Sequence, residues 1–233
     1  YIYRGQEYSL PIHGFCIGTE FEVEEQSGGS VTFLLTDNAE RRAMFPFAFA
    51  FRVRYALDGN CIIKTCTVEN RDEKLMHFGF GGHPGFNVPV GGEGGFTDWY
   101  LEFDNAVEPV RVDLDPSNYR LAGTTQPFPL RDGRILPLTH SMFDLDAVVL
   151  GGTDRAVTLK SEKSAHSVTV SFPGMGFVGF WHAPHTEAPY VCIEPWVSLP
   201  SHSAYMEDIE KQEHLIALES GGIYENVVTI EVM

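Results

Sequence analysis

The sequence predicts an all-β chain, a large antiparallel β-sandwich, on three observations. Apolar residues recur with period two where Phe45, Phe47, Phe49, Phe51, Val53, Tyr55 and Leu57 alternate with Pro46, Ala48, Ala50, Arg52, Arg54 and Ala56. Asp58-Gly59-Asn60 then supplies turn chemistry before a second strand-like run over residues 61–69, which together read as a hairpin. Helical periodicity is poor, while 23 glycines and 14 prolines punctuate the chain.

Taken in order, the strand expectations are residues 31–35, 45–57 and 61–69, followed by 99–103 and 107–114. Asp132-Gly133 predicts a hairpin between Phe128 and Leu138. Strands are then expected over 157–160, 168–172, 177–181, 190–196 and 227–232, each rich in Val, Ile, Phe, Tyr or Trp. One short helix is expected within 203–211. With no internal repeat and no linker composition, residues 1–233 read as one domain. The chain opens at Tyr1 in mid-pattern, so N-terminal strands are expected to be missing. Monomer and homodimer are both compatible with this reading.

Sixteen basic against 32 acidic residues give a formal charge of −16. Such a surface repels nucleic acid and anionic membranes, and a phosphorylated substrate would need a local basic pocket. A neutral small molecule fits better. No apolar stretch approaches membrane-spanning length. Cys16, Cys61, Cys66 and Cys192 lack framework spacing, and Cys61 and Cys66 would point to opposite faces of one strand. They read as free thiols in a reducing cytoplasm.

Five segments carry candidate chemistry. Gly81-Gly82-His83-Pro84-Gly85-Phe86-Asn87 sets a histidine between small residues and a proline. The proline confines His83 to extended geometry, and an imidazole so held suits proton transfer near neutral pH. Tyr190-Val191-Cys192-Ile193-Glu194-Pro195-Trp196 places a carboxylate in an apolar strand, where burial would raise its pKa and make it a base. Its bland alternative is a strand end facing water. Pro11-Ile12-His13-Gly14-Phe15 holds a second histidine beside glycine and an aromatic ring. Asp146, with Asp144 two residues before it, stands at the mouth of an apolar run and could accept hydrogen bonds from ligand hydroxyls. His182 and His185 are spaced as zinc ligands, with His202 further on, but no cysteine pair or third ligand accompanies them, so no metal is expected. Phosphate loops, nucleophile elbows and dinucleotide fingerprints are absent.

Six stretches in register, PIHGF with TEFEV, FPFAFAFRVRYAL, GFGGHPGFNVP, LTHSMFDLDAVVL, VCIEPW and LESGGIYENVVTIEV, resemble the aldose 1-epimerase (galactose mutarotase) family, in its LacX-like branch. The resemblance covers nearly the whole chain. It implies a β-sandwich fold and the interconversion of α and β anomers of a free aldose such as galactose or glucose. It also implies that His83 is the general acid and Glu194 the general base. His13 is implied beside the sugar ring and Asp146 at a sugar hydroxyl, with Asn87 and Trp181 as further substrate-binding residues. Neither cofactor nor metal is implied. One departure is visible: His13-Gly14-Phe15 continues as Cys16-Ile17, where the branch tends to carry an arginine. A carbohydrate-binding or regulatory protein on the same fold is the competing expectation.

Overall fold

The computed structural model describes every residue from Tyr1 to Met233. Its pairings among named strands are antiparallel, and it divides into two compact units. The first comprises Tyr1–Phe78 and Met206–Val228, the second Gly79–Tyr205 and Thr229–Met233.

In the first unit, the strands Glu22–Gln26, Ser30–Thr36, Phe49–Asp58 and Cys61–Asn70 form consecutive hairpin pairs. The Asp58↔Cys61 pair closes on Gly59-Asn60, with Gly59 at φ 59°, as the turn chemistry predicts. The expected strand 45–57 begins later, at Phe49. A short helix, Ala39–Met44, occupies the preceding residues. The Asn38 side chain accepts from the Arg41 N–H at 2.8 Å to cap it. Phe45 ends the helix, and Pro46 has no N–H to give a ladder. Phe45, Phe47 and Phe49 nevertheless form an aromatic core, with ring centroids 4.8 Å apart for the first two. The alternation fails to predict burial at the far end, where Tyr55 and Leu57 are exposed.

The helix expected over 203–211 does not form. Its backbone donors are used elsewhere: Ser203 N–H bonds the Leu121 carbonyl, and Ile209 N–H bonds that of Ile2. The Asp208 side chain accepts from Glu210 N–H, which favours a turn over a helical one.

The second unit is a sandwich. One sheet runs in the order Leu121–Pro127, Val110–Leu114, Val148–Gly151, Phe177–Trp181, Tyr190–Trp196, Gly85–Asn87. The facing sheet contains Ile135–Pro137, Tyr100–Phe103, Ala156–Lys160 and Val168–Ser171, extended by residues 229–232. Phe103 from one sheet meets Phe180 from the other, centroids 6.3 Å apart, both fully buried. Val148, Leu150, Val178, Val191 and Ile193 line the same interior. The Asp132-Gly133 turn forms with positive φ at both residues, but only the bridge Arg131↔Ile135 closes it. The chain beyond it pairs instead with Tyr100–Phe103. Leu121–Pro127, which carries few strand-forming residues, is held by Val110–Leu114.

Because side chains alternate along a strand, the opposite face of the six-stranded sheet carries Cys192, Glu194 and Trp196 beside Phe177, Gly179 and Trp181. An apolar cluster of Val112, Ala147 and Val149, flanked by Trp181 and Trp196, floors that face. No helix is long and apolar enough to cross a membrane.

Candidate active site

Glu194 lies in the middle of the site strand, opposite Gly179, and is 3% exposed. Burial first, and the neighbouring Asp146 carboxylate second, push its pKa up to about 8, while a hydrogen bond from the Trp196 side chain opposes the rise. Its Oε1 has no hydrogen-bond partner within the protein.

The His83 segment is fastened to the same strand on both sides of the histidine. Gly82 N–H bonds the Pro195 carbonyl at 2.9 Å, and Ile193 N–H bonds the Pro84 carbonyl at 3.1 Å. This backbone fit needs glycine: a Cβ at Gly81 would stand 2.6 Å from Trp196 Cδ1 and 2.9 Å from the Pro195 carbonyl oxygen. The result sets His83 Nε2 3.3 Å from Glu194 Oε1. The imidazole meets the Trp181 ring edge-on, with centroids 5.7 Å apart, and keeps 43% of its side chain exposed. An accessible imidazole thus abuts a buried carboxylate.

Asp146 completes the group. Its backbone is left-handed, φ 77°, and its N–H bonds the Phe143 carbonyl at 2.9 Å. The carboxylate accepts from Trp181 Nε1–H at 2.8 Å. Asp144 points elsewhere, its Oδ1 lying 3.3 Å from His185 Nδ1. Geometry therefore selects Asp146 over Asp144 as the neighbour of Glu194.

The other expected residues are placed differently. Asn87 is exposed and pairs with Tyr190, four positions from Glu194 along the strand, or roughly 13 Å. His13 belongs to the first unit, on an exposed turn with φ 64°. His182 and His185 do not form a metal pair: His182 is fully buried, whereas His185 is exposed beside Asp144.

Two residues of this face carried no functional expectation. Trp196 bonds Glu194, and Cys192 stands opposite Gly85 with its sulfur near the pair. Their i−2 and i+2 spacing from Glu194 was the available signal. Donor atoms of His83, Cys192 and Glu194 lie within 4.8 Å of one another, which are zinc-ligand types. In the metal-free protein, burial and the Glu194 charge push the Cys192 thiol up to about 12.

The aldose 1-epimerase family pattern matches residues 1–231. The chain belongs to the aldose 1-epimerase family. It is similar to the plasmid-encoded protein LacX of Lactococcus lactis subsp. lactis, with 33% identity over 210 residues, covering 85% of this chain and 68% of LacX. The chromosomal LacX is 34% identical over 194 residues, covering 80% and 63% respectively. The chain thus spans about two thirds of the length of these relatives. Among solved structures, a galactose mutarotase related enzyme from Lactobacillus acidophilus superposes with a TM-score of 0.93 at 32% identity, covering 100% of this chain and 77% of its own. A galactose mutarotase-like protein from Lactobacillus casei gives 0.92 at 28% identity, covering 100% and 80%. The fold of this epimerase-family chain is that of the galactose mutarotase-like proteins.

Proposed function

We propose that this chain interconverts the α and β anomers of a free, neutral aldohexose such as galactose or glucose. The observation that carries the reading is the 3.3 Å approach of His83 Nε2 to the buried Oε1 of Glu194, which accepts no hydrogen bond within the protein. Family membership supplies the reaction class.

In this reading Glu194, as carboxylate, takes the proton of the anomeric hydroxyl. Protonated His83 gives a proton to the ring oxygen as the C1–O5 bond breaks. The sugar becomes an open aldehyde, C1 turns about its bond to C2, and the aldehyde oxygen presents its other face. Closure runs the transfers backward: neutral His83 recovers the proton and Glu194 returns one to O1. No atom or electron is left over. The raised pKa makes the Glu194 carboxylate a stronger base toward the anomeric hydroxyl. Asp146 accepts a hydrogen bond from a sugar hydroxyl, and Trp181 offers an apolar wall.

A neutral substrate is favoured because Glu194 and Asp146 lie near enough for their charges to interact and would together oppose a phosphate dianion. The unpaired thiols support a reducing compartment, in keeping with a cytoplasmic protein. Polarimetry of freshly dissolved α-galactose tests the reading. The chain should hasten the approach to equilibrium, and His83→Asn should remove most of that effect. Sugar binding without any rate enhancement would make the chain a carbohydrate-binding protein instead.

A further inference from the structure

Behind the site lies a pair of imidazoles that the proton transfers do not use. His182, next to Trp181 on the strand, is fully buried, and its Nε2 lies 3.1 Å from His140 Nδ1. Its own Nδ1 lies 2.9 Å from the Ala183 carbonyl oxygen. A carbonyl can only accept, so Nδ1 of His182 carries the hydrogen. In the neutral ring Nε2 is then the acceptor, and His140 must donate from Nδ1. Both tautomers are thereby fixed.

This bond joins two segments that meet again at the sugar side. His140 begins the short helix His140–Phe143, whose Phe143 carbonyl holds the N–H of Asp146. Trp181, the neighbour of His182, holds the Asp146 carboxylate. Phe96 stacks on His140 with centroids 4.0 Å apart, and Phe143 packs against His182 at 4.3 Å. Asp146 keeps a left-handed backbone, φ 77°, a conformation that aspartate tolerates better than most residues.

We propose that His140 and His182 are positioning residues that lock the Asp146–Trp181 clamp onto a sugar hydroxyl. The proposal rests on the reading of Asp146 as a sugar ligand. A single proton added to the pair leaves the bond in place, because His140 can carry its own hydrogen on Nε2 and accept at Nδ1. A proton on His140 Nε2 would leave the bond intact. The groups that face the pair are Asp144, which favours charge on His182, and Tyr190, whose hydroxyl accepts from Ala183 N–H. Burial outweighs them and holds His182 below the ordinary imidazole range.

The test replaces His140 by phenylalanine, which keeps the stacking on Phe96 and removes the donor. KM for galactose should rise by roughly tenfold, the worth of one hydrogen bond to a charged group, while kcat changes little. His140→Asn, with an amide near the Nδ1 position, should restore KM. Two further readouts need no turnover. The indole N–H resonance of Trp181, one of three tryptophans, should move in His140→Phe without sugar, and calorimetric galactose affinity should fall with the KM rise. If His140→Phe does not fold, a double change of His140 and His182 to phenylalanine removes both polar groups and should show the same shifts. An unmoved indole signal and unchanged galactose affinity, with only the melting temperature lowered, would overturn the proposal. If these shifts appear in a chain without turnover, the clamp stands and the acid/base reading falls.

Discussion

Gly81 and Trp196 are bridge partners across an edge of the site sheet, so close that a single methyl at Gly81 would lie 2.6 Å from Trp196 Cδ1. The contact sets the depth at which His83 approaches Glu194. The backbone oxygen of Pro195, 2.9 Å from the same point, cannot swing aside as a side chain could.

Gly81→Ala should therefore lift the His83 segment off the strand. Overpacking of this kind costs about 1–3 kcal/mol, and the loss should appear in denaturant melts together with a fall in kcat. Full activity at unchanged stability would show that the segment can shift without moving the imidazole.

Glu194 makes stability depend on pH. Its folded pKa, about 8, lies above the ordinary value of 4.5, so between these pH values the folded state binds more protons than the unfolded state. Stability should fall as pH rises through that window. Glu194→Gln has no such titration, so its stability relative to the unmutated chain should improve from about pH 5 to about pH 8.5. Parallel stability profiles for the two proteins would contradict the burial of an ionisable carboxylate there.

The strand carrying Glu194 and the immobilised histidine were both legible in the sequence. Each proline restricts its predecessor, and an apolar run around a carboxylate marks burial. Partnerships across strands were not legible. His140 and His182 lie 42 residues apart, and only the folded chain brings them together. Asp144 and Asp146 could not be told apart by type, because left-handed backbone at Asp146 is what turns its carboxylate to Trp181. The apparent helix over 203–211 failed because the carbonyls that claim its donors belong to distant segments. Phe45 and Phe47 are buried as core, yet the helix that ends at Phe45 and the proline at Pro46 keep them out of the strand expected there.

Asp146→Asn should raise KM for galactose by roughly tenfold, the scale of a charge-assisted hydrogen bond. It also removes a carboxylate that raises the Glu194 pKa, so the rising limb of kcat/KM with pH should move toward acid. Asp144→Asn should do neither, since that carboxylate faces His185. Equal effects of the two substitutions would refute the assignment.

Glucose should be used in preference to glucose 6-phosphate. The two neighbouring carboxylates Glu194 and Asp146 and an overall charge of −16 work against a dianion, which needs charge-assisted donors to offset its desolvation. Competition between the two sugars in one mutarotation assay measures the preference. Faster turnover of the phosphorylated sugar would place a cationic recognition element in this site.

The most direct test of the central claim is the steady-state mutarotation of galactose by Glu194→Gln. The amide keeps the shape of the side chain and cannot take the anomeric proton. Loss of a positioned base should lower kcat by roughly 10²–10⁴-fold while KM changes little. Turnover within a few-fold of the unmutated chain would contradict the account, because the proton would then leave the sugar by another route.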